Sequence, residues 1–234
     1  MRRTSLTDPL KERAARAALA YVRSGMVLGL GTGSTADLVT RGLAEALRSG
    51  RLRDVVGVAT SRRTEALASE LGIPLRPPAE AGPVDLCIDG ADEVDPALNL
   101  LKGRGGAFYR ERLVAAAAAR YVIVVDESKL VRRLGERCPL PVGVEPALWE
   151  DVASDLRGLG AEVALRRDGG GPAVTDEGYW VLDCRFPPSV SLPEVAPAVE
   201  AVPGVVDHGL FLDMADVVVV GGRRGVRVLA AERG

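Results

Sequence analysis

Lys102-Gly103-Arg104-Gly105-Gly106-Ala107-Phe108-Tyr109-Arg110-Glu111 joins a lysine, a glycine-rich bend and, nine residues on, a carboxylate. Glycine lets a backbone approach a ligand closely and take up positive φ. Lys102 brings a cation and Glu111 a candidate base. The Ala-rich stretch 113–120 predicts a helix, with Glu111 near its first turn. Nine residues at 100° each leave Lys102 and Glu111 half a turn out of phase, so a single helix cannot aim both at one point. They converge if the bend folds Lys102 back. A cation and a carboxylate meeting over a small anionic substrate imply proton abstraction next to a carbonyl. A surface turn with solvated charges is the plain alternative.

Further clusters follow other apolar runs. Gly29-Leu30-Gly31-Thr32-Gly33-Ser34-Thr35 reads as strand, loop and helix start. Backbone N–H groups and hydroxyls at Thr32, Gly33, Ser34 and Thr35 suit a phosphate at a helix N-terminus. Gly31-x-Gly33-x-x-Ala36 also fits a dinucleotide fingerprint. That fingerprint wants an acid ending the second strand, roughly 20 residues on. The second strand ends instead in Ala59-Thr60-Ser61, which favours a phosphate monoester over NAD. No Gly-Lys-Ser/Thr follows the loop, which excludes a Walker A motif.

Asp89-Gly90-Ala91-Asp92-Glu93 gathers carboxylates at a strand end, where crowding raises pKa values and suits proton transfer. A magnesium site and an Asx turn are the rival readings, and Lys102 can fill the cationic role without a metal. Lys129 and Lys11 are candidate anion contacts; each alone reads as a solvated lysine. His208, the single histidine, reads as structural, since no G-x-S-x-G accompanies it. Cys87, Cys138 and Cys184 are far apart with no C-x-x-C, which argues against a disulfide framework or a zinc site.

These residues need a scaffold. Helical patterns at 9–24, 36–48 and 62–71 alternate with apolar runs at 26–30, 55–59, 84–89 and 121–125. Continuous apolar strands separated by helices imply a parallel sheet covered on both faces. The polar clusters then fall just after strands of one sheet, the edge where open α/β sheets bind ligands. Composition shifts at 137–141. A helix at 146–159, a strand pair at 162–167 and 173–175, a strand at 179–184 and a helix at 192–201 follow. The apolar run 217–220 is expected to rejoin the first sheet. The expected division is an α/β parallel-sheet domain, 1–135 plus 205–234, and a smaller α+β domain, 136–204.

The chain has 234 residues, enough for one large domain or two modest ones, and 47% hydrophobic residues support a full core. At 4% aromatic content, that core is mostly Val, Leu and Ala. A net charge of −2 gives no footprint for nucleic acid. No apolar run nears the ~20 residues of a membrane span. Residues 1–16 are charged and lack a signal-peptide core, so the expectation is a cytoplasmic protein.

Taken together, the clusters resemble the type A family of ribose-5-phosphate isomerases. Gly31 to Thr35, Thr60-Ser61 with Thr64, Asp89-Gly90-Ala91-Asp92-Glu93, Lys102-Gly103-x-Gly105-Gly106-Ala107, Arg110-Glu111 and Lys129 carry the resemblance. Pro139-Leu140-Pro141-Val142 and Gly209-Leu210-Phe211 also match, in order along nearly the whole chain. The resemblance implies a Rossmann-like domain plus a smaller domain, usually in homodimers or homotetramers. It implies interconversion of D-ribose 5-phosphate and D-ribulose 5-phosphate through a cis-enediolate, in the non-oxidative pentose phosphate pathway, without metal or organic cofactor.

The roles it implies are Glu111 as the base between C2 and C1, Lys102 on the enediolate oxygen, and Asp89 and Asp92 on ring opening and hydroxyl protons. Thr32, Gly33, Ser34 and Thr35 hold phosphate, with Lys129 and Lys11 beside them. Gly90, Ala91, Gly103, Arg104 and Gly105 complete the expected substrate contacts. Many members have glycine where this chain has Arg104. A phosphosugar sensor without catalysis, a CoA-transferase-like enzyme with a nucleophilic glutamate, and an NAD-dependent enzyme are the competing classes.

Overall fold

The computed structural model describes residues 8–80 and 82–231; residues 1–7, part of the leader reading, and 232–234 of the expected first domain lie outside these. In chain order the elements are α1 (Pro9–Ala18), β1 (Val27–Leu30), α2 (Ser34–Arg48), β2 (Val56–Ala59), α3 (Arg62–Glu70), β3 (Leu86–Asp89), β4 (Glu93–Val94), β5 (Leu100–Leu101) and α4 (Phe108–Ala116). Then come β6 (Tyr121–Asp126), β7 (Leu140–Val144), α5 (Trp149–Gly158), β8 (Glu162–Leu165), β9 (Arg167–Asp168), β10 (Gly171–Pro172), β11 (Trp180–Arg185), α6 (Leu192–Glu200), β12 (Val205–His208), β13 (Leu210–Phe211), β14 (Val217–Gly222) and β15 (Gly225–Ala230). Contacts gather the chain into two compact units, Met1–Gly90 with Ala117–Ser128 and Asp216–Gly234, and Ala91–Ala116 with Lys129–Ala215. This grouping differs from the division read from sequence over 91–116, 129–135 and 205–215, which join the second unit. Strand pairing accounts for most of that: β5 pairs with β13, and β12 with β7.

The first unit is a six-stranded sheet in the order β15-β14-β6-β3-β1-β2. All neighbours are parallel except β15, which returns antiparallel to β14 at the edge. Without β15 this is the doubly-wound order with its switch point between β1 and β3, where loops leave the sheet in opposite directions and open a crevice. The Val-rich run at 217–220 rejoins the sheet as expected, in a strand that extends to Gly222. β6 and β14 are buried along their whole length, which continuous apolar runs require. α2 buries Ala36, Val39, Thr40, Leu43 and Ala44, the spacing of one helical face. α1 starts at a capped end, with Asp8 accepting from the Leu10 N–H at 2.9 Å and Pro9 in the first turn. It stops at Ala18 and passes into a short 3-10 turn, short of the expected 9–24.

The second unit holds a four-stranded antiparallel sheet, β12-β7-β11-β8, and a three-stranded one, β13-β5-β4. Leu140, Val142, Val144, Leu156, Leu182 and Val199 form its core with α5 and α6. The hairpin at Asp168–Gly171 turns through Gly169 and Gly170, both at positive φ, as a tight two-residue turn needs. The expected helix 113–120 is displaced: α4 begins at Phe108 and ends at Ala116. A bridge between Ala118 and Val84 draws the end of the alanine run into strand pairing. Among the described residues no helix is long and apolar enough to cross a membrane.

Candidate active site

In the first unit, the loop after β1 and the end of β3 are locked together. Gly33, the N-cap of α2, sits at φ 119°, a conformation that favours glycine, and it brings no side-chain cap to that helix end. The first-turn N–H groups of α2 are thus available to an anion, with the helix dipole behind them. The loop is held by Asp89, whose Oδ1 accepts from the N–H groups of Thr32 (2.9 Å) and Gly90 (2.7 Å). Behind it the hydroxyl hydrogen bonds run in one direction. Thr60 and Thr64 donate to the carbonyls of Leu30 and Gly31 at 2.9 and 3.0 Å, Ser61 donates to Thr64, and Thr32 donates to Ser61 at 2.8 Å. The side chain and N–H of Thr32 therefore make hydrogen bonds within the protein, and Ser34 presents an exposed hydroxyl. Lys11 Nζ donates to that hydroxyl at 3.0 Å, which brings the weakest of the expected anion contacts to the loop.

In the second unit, the bend folds Lys102 back onto α4. Lys102 Nζ lies 3.5 Å from Glu111 Oε2, and the two side chains are only 3% and 6% exposed. Gly103 makes the fold possible: it sits at φ 100°, and a Cβ there would stand 2.7 Å from both Phe108 and Pro141. Position 104 makes no such demand, so an arginine fits, with its side chain exposed. The Lys102 N–H donates to the Gly209 carbonyl at 2.8 Å, and the Arg104 N–H to Asp92 Oδ2 at 2.9 Å. The Phe211 ring lies 5.4 Å below Lys102 Nζ and 4.3 Å from the Arg112 guanidinium.

The residues on either side of the candidate base anchor its helix. Arg110 pairs with Glu177 at 3.0 Å. Arg112 reaches Asp207 at 2.8 Å and the carbonyls of His208 and Leu210 at 2.6 and 2.9 Å. Neither arginine's anchoring role was read from sequence, although both flank Glu111 directly.

The acidic run does not act as one cluster. Glu93 is fully buried and accepts from the N–H groups of Gly135, Arg137 and Cys138 at 2.6–2.7 Å, so it holds a loop. Lys102 also departs from the expected placement: it follows β5 of the antiparallel three-stranded sheet, not a strand of the parallel one. Lys129 lies in the second unit, where its charge, like that of Arg104, opposes the upward pull of burial, Glu93 and Asp92 on the Cys138 thiol. Burial pushes the Cys184 thiol up to about 12. Neither is a poised nucleophile. His208 is buried and takes a hydrogen bond from the Leu210 N–H at Nδ1, so Nε2–H donates to Glu200. Burial, then Arg112, holds its pKa below the usual imidazole value. Among the described residues, no group of three or more His, Cys, Asp or Glu is disposed to hold a metal ion.

The family model described as ribose 5-phosphate isomerase A (phosphoriboisomerase A) matches residues 56–225. The ribose-5-phosphate isomerase A of Roseiflexus castenholzii is 52% identical over 217 residues, covering 92% of this chain and 93% of the relative. That of Thermomicrobium roseum is 51% identical over 229 residues, covering 97% and 96%. A solved D-ribose-5-phosphate isomerase in complex with phospho-erythronic acid superposes with a TM-score of 0.91 at 38% identity, covering 94% of this chain and 97% of its own. The ribose 5-phosphate isomerase A of Methanocaldococcus jannaschii gives 0.89 at 40% identity, covering 94% and 98%. The chain belongs to the ribose 5-phosphate isomerase A family.

Proposed function

We propose that this chain is an aldose–ketose isomerase that interconverts D-ribose 5-phosphate and D-ribulose 5-phosphate, with Glu111 as the proton carrier. The observation that carries the reading is the buried Lys102–Glu111 pair, 3.5 Å apart, in a chain of this family. The Glu111 carboxylate takes the C2 proton of the open-chain aldose and returns it to C1, on one face of a cis-enediolate. The Lys102 ammonium stabilises the oxyanion as charge develops, a contribution on the order of 3 kcal/mol for a well-placed donor. The proton on the C2 hydroxyl leaves as that carbon becomes a carbonyl, while the C1 oxygen gains one; Asp89 and Asp92 are assigned to these transfers and to ring opening.

The substrate phosphate is assigned to the open end of α2, at Gly33, Ser34 and Thr35, with Lys11 and Lys129 as its cations. Peptide groups at Thr32, Gly90, Ala91, Gly103, Arg104 and Gly105 are the remaining candidate contacts. Anchoring the remote phosphate orients the reacting carbons. A related structure holding phospho-erythronic acid, a phosphorylated sugar acid, supports a ligand of this class. Nothing in the comparisons favours a sensor or a CoA-transferase. The place of the reaction in the pentose phosphate pathway follows from the family. A cytoplasmic location and a homodimer or homotetramer remain part of the proposal; light scattering on the purified protein reads the latter. A coupled assay with D-ribose 5-phosphate tests the activity: formation of the ketose supports it, and no turnover at any substrate concentration refutes it.

A further inference from the structure

Gly103, Gly105 and Gly106 follow Lys102, so the peptides just after it need support from outside the bend. A donor that stabilises a developing oxyanion must be fixed to within about 0.5 Å, and a shift near 1 Å costs up to about 100-fold in rate. The second unit supplies a part that the sequence did not advertise. Arg166 Nη1 donates to the carbonyls of Gly103 at 2.8 Å and Arg104 at 3.2 Å. The same guanidinium is gripped from the other side by Asp183, through Nε to Oδ2 at 3.0 Å and Nη2 to Oδ1 at 2.5 Å. This two-pronged geometry is specific to arginine and carboxylate. Both residues are rooted in one sheet: the Arg166 N–H donates to the Val181 carbonyl at 2.9 Å, and Asp183 stands opposite Ala164.

The clamp fixes more than position. In a trans peptide the C=O of one residue and the N–H of the next point in opposite directions. Holding the Gly103 carbonyl toward Arg166 sends the Arg104 N–H the other way, onto Asp92 Oδ2 at 2.9 Å. Holding the Arg104 carbonyl likewise turns the Gly105 N–H away from Arg166. Arg166, Lys102, Arg104, Cys138 and Asp92 all line one cavity of about 320 Å³. One guanidinium thus sets two successive peptide planes just after Lys102 and, through one of them, an oxygen of Asp92.

We infer that Arg166, held by Asp183, is a positioning residue for the isomerase reaction: it fixes the Gly103 and Arg104 peptides so that Lys102 and Asp92 keep their catalytic geometry. The inference rests on the isomerase reading and adds a residue to it. Its test is steady-state kinetics on wild type, Arg166→Lys and Arg166→Ala, with inorganic phosphate as a competitive probe of anion binding and urea unfolding as a check on folding. Lysine keeps the charge but lacks the planar fork whose separate nitrogens grip the Asp183 carboxylate by two bonds and reach the Gly103 carbonyl by a third. The expected result is a fall in kcat of at least about tenfold for Arg166→Lys, with phosphate inhibition within about twofold of wild type. In Arg166→Ala, added guanidinium ion at millimolar levels, well below denaturing concentrations, should restore part of kcat. Asp183→Asn, which preserves shape and loosens the fork, should fall between wild type and Arg166→Lys. Wild-type kcat in Arg166→Lys overturns the inference, as does a fall in kcat that only tracks lost folded protein. An inactive wild type overturns the isomerase reading itself.

Discussion

Replacing Gly31 by alanine should break the junction between β1 and β3. A Cβ at position 31 would stand 2.2 Å from Asp89 Oδ1 and 2.4 Å from Asp89 Cα. The carboxylate could rotate away, but the Cα cannot, so the two strand ends must separate. Separation weakens the hydrogen bond from the Gly31 N–H to the Ile88 carbonyl, 2.9 Å, and the one from the Thr32 N–H to Asp89, 2.9 Å. The first is worth about 1 kcal/mol and the second, to a charged acceptor, about 2 kcal/mol. Overpacking adds about 1–3 kcal/mol. Together these give a loss of about 4–6 kcal/mol, against a typical total stability of about 5–15 kcal/mol. Urea unfolding followed by circular dichroism measures it, with Gly105→Ala as control. Position 105 has no atom within 4 Å of an added Cβ, and it should stay within about 1 kcal/mol of wild type. Removing the Asp89 side chain as well should not rescue Gly31→Ala, because the backbone clash persists. A Gly31→Ala protein within about 1 kcal/mol of wild type would refute the reasoning.

Three further outcomes are expected. Lys102→Met should lower kcat by about 10²–10³-fold while inorganic phosphate still inhibits, read in the same coupled assay. Activity should persist in excess EDTA, since Lys102 supplies the cationic role; loss that magnesium restores would favour the carboxylate–metal reading. His208 stays neutral in the folded chain to a pH below its usual 6.5, so the unfolded chain binds a proton first as pH falls. Its stabilisation is therefore present above pH 6.5 and lost as pH falls below that value toward the folded one. Asp207, which burial raises, acts in the opposite sense, its contribution declining as pH rises from 3.8. Urea midpoints at pH 7.0 and 5.5 should thus differ in wild type, and the difference should shrink in His208→Asn.

The site residues that could be read from sequence are those whose chemistry is packed into short segments. Gly31 to Thr35 sits at a strand–helix junction, and Lys102 to Glu111 spans one bend and one helical turn, so local rules suffice. Arg166 and Asp183 could not be found that way. The carbonyls that Arg166 holds lie over 60 residues earlier in the chain, and an isolated arginine carries no pattern. Glu93 misled for a related reason: its neighbours in sequence are acids, while its partners are backbone N–H groups at 135–138. β7 escaped notice because Pro139 and Pro141 argue against a strand, yet Pro141 pairs with Asp183 and gives its carbonyl to the Gly209 N–H. β4, β5 and β13 are two residues each, too short for alternation to register. α4 was misplaced because an alanine run signals helix without fixing its ends, and here pairing with Val84 sets one of them.

The central claim is that Glu111, beside Lys102, moves the substrate proton. Wild type and Glu111→Gln compared in the ribose 5-phosphate assay test it most directly. Glutamine keeps the shape and loses the base. The expected result is a fall in kcat of about 10²–10⁴-fold, with inorganic phosphate inhibition little changed. Near-normal turnover in Glu111→Gln would contradict the account.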